Sequence, residues 1–385
     1  MDFAFSEEQD AIRETARRFA EDRLAPGFMS REETGRLDRD LMKEMGSLGL
    51  IAPEMPEDRG GLGLDGTAAG IIIEEIAAAD SNVAYVPLLN ALMGAMVADH
   101  ADPEIAADLC PKIVSGEVLM ALGLTEPRGG SDAANLIVKA ERRGDDYVLN
   151  GEKTSISLAD QADWTVVLAR TDQDKAGAGG VSAFVLSLKE PGISTGRFDD
   201  LGALAIGRGS IFFEDVVIPA HHRMGAEGMG FRQVMGGFDY SRALIGLQVL
   251  GAARSSLSET WDYVTERQAF GRPIAKFQGV TEPLAEAETF LNAATLLCYK
   301  TLWLRDQDRP HTAEAAMVKW WAPKVAFDII HACLLSHGHM GYSREMPHQQ
   351  RLRDVLGLQI GDGTAQIQKM IIARERIGRI AVPYD

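Results

Sequence analysis

The run VLMALGL at Val118–Leu124, with LIVKA at Leu136–Ala140, WTVVLA at Trp164–Ala169, VSAFVLSL at Val181–Leu188 and IFFEDVV at Ile211–Val217, marks a change of texture in this chain. These are short β-branched and aromatic runs set apart by turn signals: Gly144-Asp145, the glycine-rich Lys175–Gly180 and Pro191-Gly192. No helical pattern alternates with them. A doubly wound parallel sheet is therefore disfavoured, and an antiparallel sandwich or barrel is predicted. Pro219 and the Gly225–Gly230 run close the region.

Both flanks read as helix. On the N-terminal side, Ser6-Glu7-Glu8-Gln9 spells a capping box, and Ile12, Ala16 and Phe19 form a stripe that ends before Pro26. Leu41, Met45 and Leu48 repeat the pattern before Gly49, as do Ile72, Ile73 and Ile76, then Leu88, Leu92 and Met96. Pro103 opens another helix, with Ile105, Leu109 and Ile113 on one face and Gly116 past its end. On the C-terminal side, four long helices are expected: Phe231–Glu266, Val280–Arg305, Ala313–His337 and one from Thr364. The predicted fold class is α+β, mainly α: an N-terminal helical domain (1–117), a middle β-barrel or sandwich domain (118–224) and a C-terminal four-helix bundle (225–385). A length of 385 residues, beyond the ~250–300 at which single cores stop growing, agrees with several domains.

Acidic residues outnumber basic ones 56 to 39, a net charge of −17, which argues against nucleic acid and anionic membrane as partners. Cys110, Cys298 and Cys333 are odd in number and unpaired in spacing, as in a reducing compartment. The N-terminus Met1–Glu8 lacks a basic and an apolar region, and no window approaches ~18 uninterrupted apolar residues. A cytoplasmic protein without a membrane span is expected.

Several motifs invite chemistry. Gly61-Leu62-Gly63-Leu64-Asp65-Gly66 matches G-x-G-x-x-G, but it follows Pro53, Pro56 and Gly60 instead of a strand, and reads as a turn-rich connection. His221-His222, His331 and His337-Gly338-His339 lack the spacing of a zinc site and read as packing or capping residues; no metal is expected. In Leu124-Thr125-Glu126-Pro127-Arg128-Gly129-Gly130-Ser131-Asp132, glycines would let backbone N–H groups approach a ligand, with Thr125 and Ser131 offering hydroxyls. Asp362, between Gly361 and Gly363 and just before the last helix, fits a helix N-cap first, and also a base whose acidity is tuned by burial.

Leu124–Asp132 resembles the T-E-P-x-x-G-S-D segment of the acyl-CoA dehydrogenase family, and other segments follow in order. Asn150-Gly151-Glu152-Lys153 is similar to the family's N-G-x-K turn, Glu266–Gly271 with Gln278 to its E-R-x-x-F-G…Q segment, Gly338–Pro347 to its G-x-x-G-Y…P stretch, and Gly363–Ile367 to the segment after its catalytic acid. The likeness spans Phe3 to about Ile380. It implies a flavoprotein that removes a hydrogen pair from an acyl-CoA thioester in fatty acid metabolism and passes electrons to an electron-transferring flavoprotein. Leu124, Thr125, Ser131, Ser155, Ser157, Thr364 and Gln366 would contact FAD. Arg267, Phe270, Gln278, Leu335 and His339 match residues that hold the adenylate and pyrophosphate of a neighbouring subunit's FAD, which implies a homo-oligomer, usually a tetramer or else a dimer. Asp239 and Arg242 match CoA contacts, Ser131 and Gly363 would also meet substrate, and Asp362 matches the base.

The chain departs from the family at telling places. The base is more often Glu, and Asp is one methylene shorter. Some relatives place the acid on the long helix before the CoA-contacting Arg; here that residue is Ser241, which cannot serve. Gly361 replaces an often larger residue, and Ser155 an aromatic one, which points to a branched, cyclic or otherwise wide acyl group. Two rivals remain open: an oxidase like the nitroalkane oxidases, which use Asp as base, and a non-catalytic subunit paired with an active paralogue.

Overall fold

The computed structural model describes residues 4–382; Met1, Asp2 and Phe3, part of the N-terminal reading above, lie outside the described residues. Helix α1 (Glu7–Phe19) starts at the capping box: the Gln9 N–H donates to Ser6 Oγ and the Ser6 N–H to Gln9 Oε1. Its first turn is acidic and its last basic, complementing the helix dipole. A π-turn and a 3-10 turn carry the chain through Pro26 to α2 (Phe28–Thr34). α3 (Arg39–Ser47), α4 (Gly66–Ala79), α5 (Tyr85–His100) and α6 (Pro103–Val114) follow. Gly66 opens α4 under an Asp65 cap, but turns and a short 3-10 segment precede it, so the Gly61–Gly66 run is a connection.

The middle region is one sheet of β1 (Met120–Gly123), β2 (Lys139–Arg143), β3 (Asp146–Ser157), β4 (Trp164–Arg170), β5 (Val181–Ser187), β6 (Ile193–Arg197), β7 (Arg208–Pro219) and β8 (Arg223–Met224). The order is β6-β7-β3-β2-β4-β5-β8, with β1 beside β4. Pairing is antiparallel except where β1 and β2 meet β4 in parallel. One expectation is corrected: Asn150–Lys153 is not a turn but part of β3, where Gly151, at φ 134°, marks a bulge. β4 and β5 are buried on both faces. Val166, Leu168, Ala183 and Val185 join the core shared with the helices, while Val167, Ala169, Phe184 and Leu186 join a second core on the other face.

α7 (Gly230–Glu266) is 37 residues long, about 55 Å at the usual rise. After a small hairpin, β9 (Gln268–Ala269) and β10 (Arg272–Pro273), come α8 (Gln278–Asp306), α9 (Thr312–Ser336), α10 (Pro347–Gly357) and α11 (Ala365–Ile377). α10 is a further helix beyond the four expected. α4 lies so close to α7 that a Cβ on Gly251 would sit 2.5 Å from the Glu74 carbonyl oxygen, so the N-terminal helices and the bundle share a core.

α10 ties the three parts together. Asp354 Oδ1 accepts from the Ala203 N–H (2.7 Å) in the loop before β7, and Oδ2 accepts from Asn82 Nδ2 (2.8 Å) and Ser81 Oγ (3.3 Å) ahead of α5. Arg353 donates to Leu201 O and pairs with Glu32. Asp354 has no cation partner among the described residues, and burial pushes its carboxyl up to about 7. An unfolded Asp titrates near ~4, so the folded chain holds a proton that the unfolded chain has lost between the two values. This group's stabilising contribution is complete below ~4 and lost as pH rises through 7. Asp354→Asn should accordingly flatten the fall in melting temperature between pH 5 and pH 8. Calorimetry at several pH values checks this, and equal slopes for both proteins would refute it.

Candidate active site

Asp362 sits in the turn between α10 and α11 with φ 55°, a left-handed conformation that Asp tolerates better than most residues. The N-cap position of α11 belongs to Thr364, not Asp362, so the capping role is excluded. The Asp362 carboxylate has no hydrogen bond or ion pair among the described residues, and its N–H is also without an acceptor. The carbonyl side of the turn is tied back instead. Gln368 Nε2 donates to Asp362 O (3.1 Å) and Gly363 O (3.3 Å), and Lys319 Nζ donates to Leu358 O (2.7 Å) and Gly363 O (3.5 Å).

Burial pushes the Asp362 carboxyl upward, opposed by Lys319 and then Arg242. Its own surface is nonetheless open to solvent. Protein surrounds the group at a distance while water still reaches it. A ligand that expels this water strengthens the upward shift. Half-buried Tyr85, the first residue of α5, has a hydroxyl without a hydrogen-bond partner among the described residues and is held up by burial and by the nearby Asp362 charge.

Arg242 is 7% exposed; its Nη1 donates to Asp239 Oδ1 (2.8 Å), and Thr312 Oγ1 donates to Asp239 Oδ2 (2.6 Å). Its Nε is buried without an acceptor, which suits a site completed by an anionic ligand. Ser241 is fully buried and bonded to Phe238 O, so it offers no alternative base.

A second group lies on the sheet. The Leu124–Asp132 segment is fixed by a buried ion pair: Lys153 Nζ donates to Glu126 Oε1 (2.8 Å) and Leu124 O (3.0 Å). The Glu126 carboxylate also accepts from the Ile137 and Val138 N–H groups. Burial lowers Lys153 to about 8 against the pull of Glu126. The Thr154 N–H donates to Thr125 O, which sets the segment alongside Ser155 and Ser157. The hydroxyls of Thr125, Ser131, Ser155 and Ser157 have no hydrogen-bond partner among the described residues, a donor set that fits the polar edge of a flavin ring.

A third group stands elsewhere. Arg267 caps the far end of α7, 25 residues and therefore about 37 Å from Arg242 along the axis. Exposed Phe270 and Gln278 follow it, and His337 stacks on Tyr263 at 4.1 Å, bringing the Leu335–His339 turn beside them. These residues are gathered with one another but not with Asp362.

Lys319 and Tyr85 were not found by sequence reading. Lys319 had a signal: it occupies a core position in the spacing Ala315, Lys319, Ala322, Ala326, all buried. His222 Nδ1 donates to Val185 O and its ring stacks on Trp164, a packing role.

Residues 6–117, 121–216 and 228–377 match, in turn, the N-terminal, middle and C-terminal domains of acyl-CoA dehydrogenase. A probable acyl-CoA dehydrogenase of Bacillus subtilis is 33% identical over 97% of this chain and 99% of its own. The caffeyl-CoA reductase-Etf complex subunit CarC of Acetobacterium woodii is 35% identical over 96% and 98%. The butyryl-CoA dehydrogenase structure from Megasphaera elsdenii superposes with a TM-score of 0.94 at 32% identity, covering 98% of this chain and all of that one (100%).

Removing one partner of the buried pair strands the other charge. Glu126→Ala should cost about 3–5 kcal/mol, and adding Lys153→Met should recover part of the loss. Chemical denaturation measures both; a Glu126→Ala protein as stable as the parent would contradict the pair's role.

Proposed function

The chain belongs to the acyl-CoA dehydrogenase family, and from that premise we propose that Asp362 removes the α-proton of an acyl-CoA thioester during α,β-dehydrogenation. The observation that carries this reading is the setting of Asp362: a carboxylate without internal partners, pushed upward by burial and flanked by Lys319 and Arg242. Such a group is both basic enough to take a weakly acidic proton and charged enough to be ready. The free Asp362 N–H is a donor for the thioester carbonyl as negative charge develops on it. Bound beside these residues, FAD, the family's cofactor, would supply the acceptor for the β-hydride.

Leu124, Thr125, Ser131, Ser155, Ser157, Thr364 and Gln366 would hold the flavin, and the paired Asp239 and Arg242 the CoA moiety. Ser131 and Gly363 would border the substrate. Arg267, Phe270, Gln278, Leu335 and His339 would serve the FAD of a neighbouring subunit. Phe270 is 94% exposed and Tyr342 85%, apolar surface suited to burial against a second copy in a dimer or tetramer. The Acetobacterium woodii relative is named for a complex with Etf, which supports an electron-transferring flavoprotein as acceptor. Three buried free cysteines suit the reducing cytoplasm. A Cβ on Gly361 would meet nothing closer than 3.8 Å, so space beside the base supports a branched, cyclic or otherwise wide acyl group.

Asp362→Asn should lower the rate of flavin reduction by acyl-CoA at least about 100-fold while FAD stays bound. Single-turnover kinetics under anaerobic conditions checks this, and an unchanged rate would remove Asp362 from the role.

A further inference from the structure

Lys319 is 1% exposed on α9, and among the described residues it forms no ion pair. A lysine in such a place is unusual, because a buried ammonium is costly unless its donors and charge are both answered. Its donors are answered by Leu358 O and Gly363 O, which bracket the turn that carries Asp362. Its charge has no carboxylate in contact; the group nearest in electrostatic effect is Asp362 itself.

We infer that Lys319 is a positioning residue for the base: it clamps both ends of the Leu358–Gly363 turn and supplies the positive charge that keeps Asp362 ionised. The inference rests on reading Asp362 as the base. Lys319 is the larger of two cationic influences on Asp362, Arg242 being the second. Arg242, from α7, is engaged by Asp239, and Tyr85, from α5, is neutral and itself held up by Asp362. On α11, Lys369 lies over the Trp320 ring at 4.4 Å, and Arg374 bonds Glu375. Burial lowers Lys319 to about 8, with Asp362 opposing and Arg242 adding to the shift, so it carries its charge at neutral pH. A one-methylene-shorter acid tolerates less play in its loop, and a clamp from below fixes its height.

The FAD-loaded protein, with Lys319→Met and Lys319→Gln variants, separates clamp from charge. Lys319→Met should speed hydrogen–deuterium exchange of amides 358–364 by at least about tenfold, with the rest of the bundle unchanged, and Lys319→Gln should recover part of that protection. Both variants lack the charge, so the acid limb of flavin reduction by butyryl-CoA or a 3-arylpropionyl-CoA should move up by about one pH unit. Unchanged exchange in the turn, exchange accelerated across the whole bundle, or an acid limb that stays in place would overturn the inference. If neither thioester reduces the parent's flavin, the choice of acyl group is what fails, and exchange at 358–364 still decides whether Lys319 holds the turn.

Discussion

A carboxylate can take a proton from carbon only if it is drawn away from water and yet stays ionised, and these demands oppose each other. The site around Asp362 meets the second in the free protein and the first once a ligand displaces the water that reaches it. Protein surrounds the group and raises its basicity, while Lys319 and Arg242 favour its charged form. Three long elements converge to do this: α9 brings Lys319, α7 brings Arg242, and the start of α5 brings Tyr85. The turn itself is left with its carbonyls tied back and its carboxylate and N–H uncommitted.

The same economy of buried charge recurs where the parts of the fold meet. Lys153 and Glu126 fix the Leu124–Asp132 segment to β3, Arg31 and Asp80 (2.6 Å) join α2 to the end of α4, and Arg254 ties α7 to Glu74 and Glu75 of α4. Each pair joins segments that apolar packing alone would let slide, since burial is non-directional and a hydrogen-bonded pair is not. Asp354 differs in having only neutral donors among the described residues, and burial pushes its carboxyl up.

The helices were legible because their apolar stripes and caps are strong, and α7, α8 and α9 lie within two residues of the expected bounds. β3 was hidden because Asn150-Gly151 is turn chemistry, here used for a bulge. β6 is a short edge strand, ISTGR, with little alternation. α10 was hidden because its buried face is polar: His348, Gln350, Arg351 and Asp354. At the site, Asp362 and Arg242 could be found from their neighbours in sequence. Lys319 could not be assigned a partner, because its partners are backbone oxygens 39 and 44 residues away that only the fold brings near.

The central claim is tested most directly by the visible spectrum of the purified protein, recorded anaerobically before and after adding linear, branched and cyclic acyl-CoAs. The expected result is a bound flavin that one class of thioester bleaches, with the wider acyl groups favoured by the space beside Gly361. A bound flavin that no acyl-CoA reduces would contradict it.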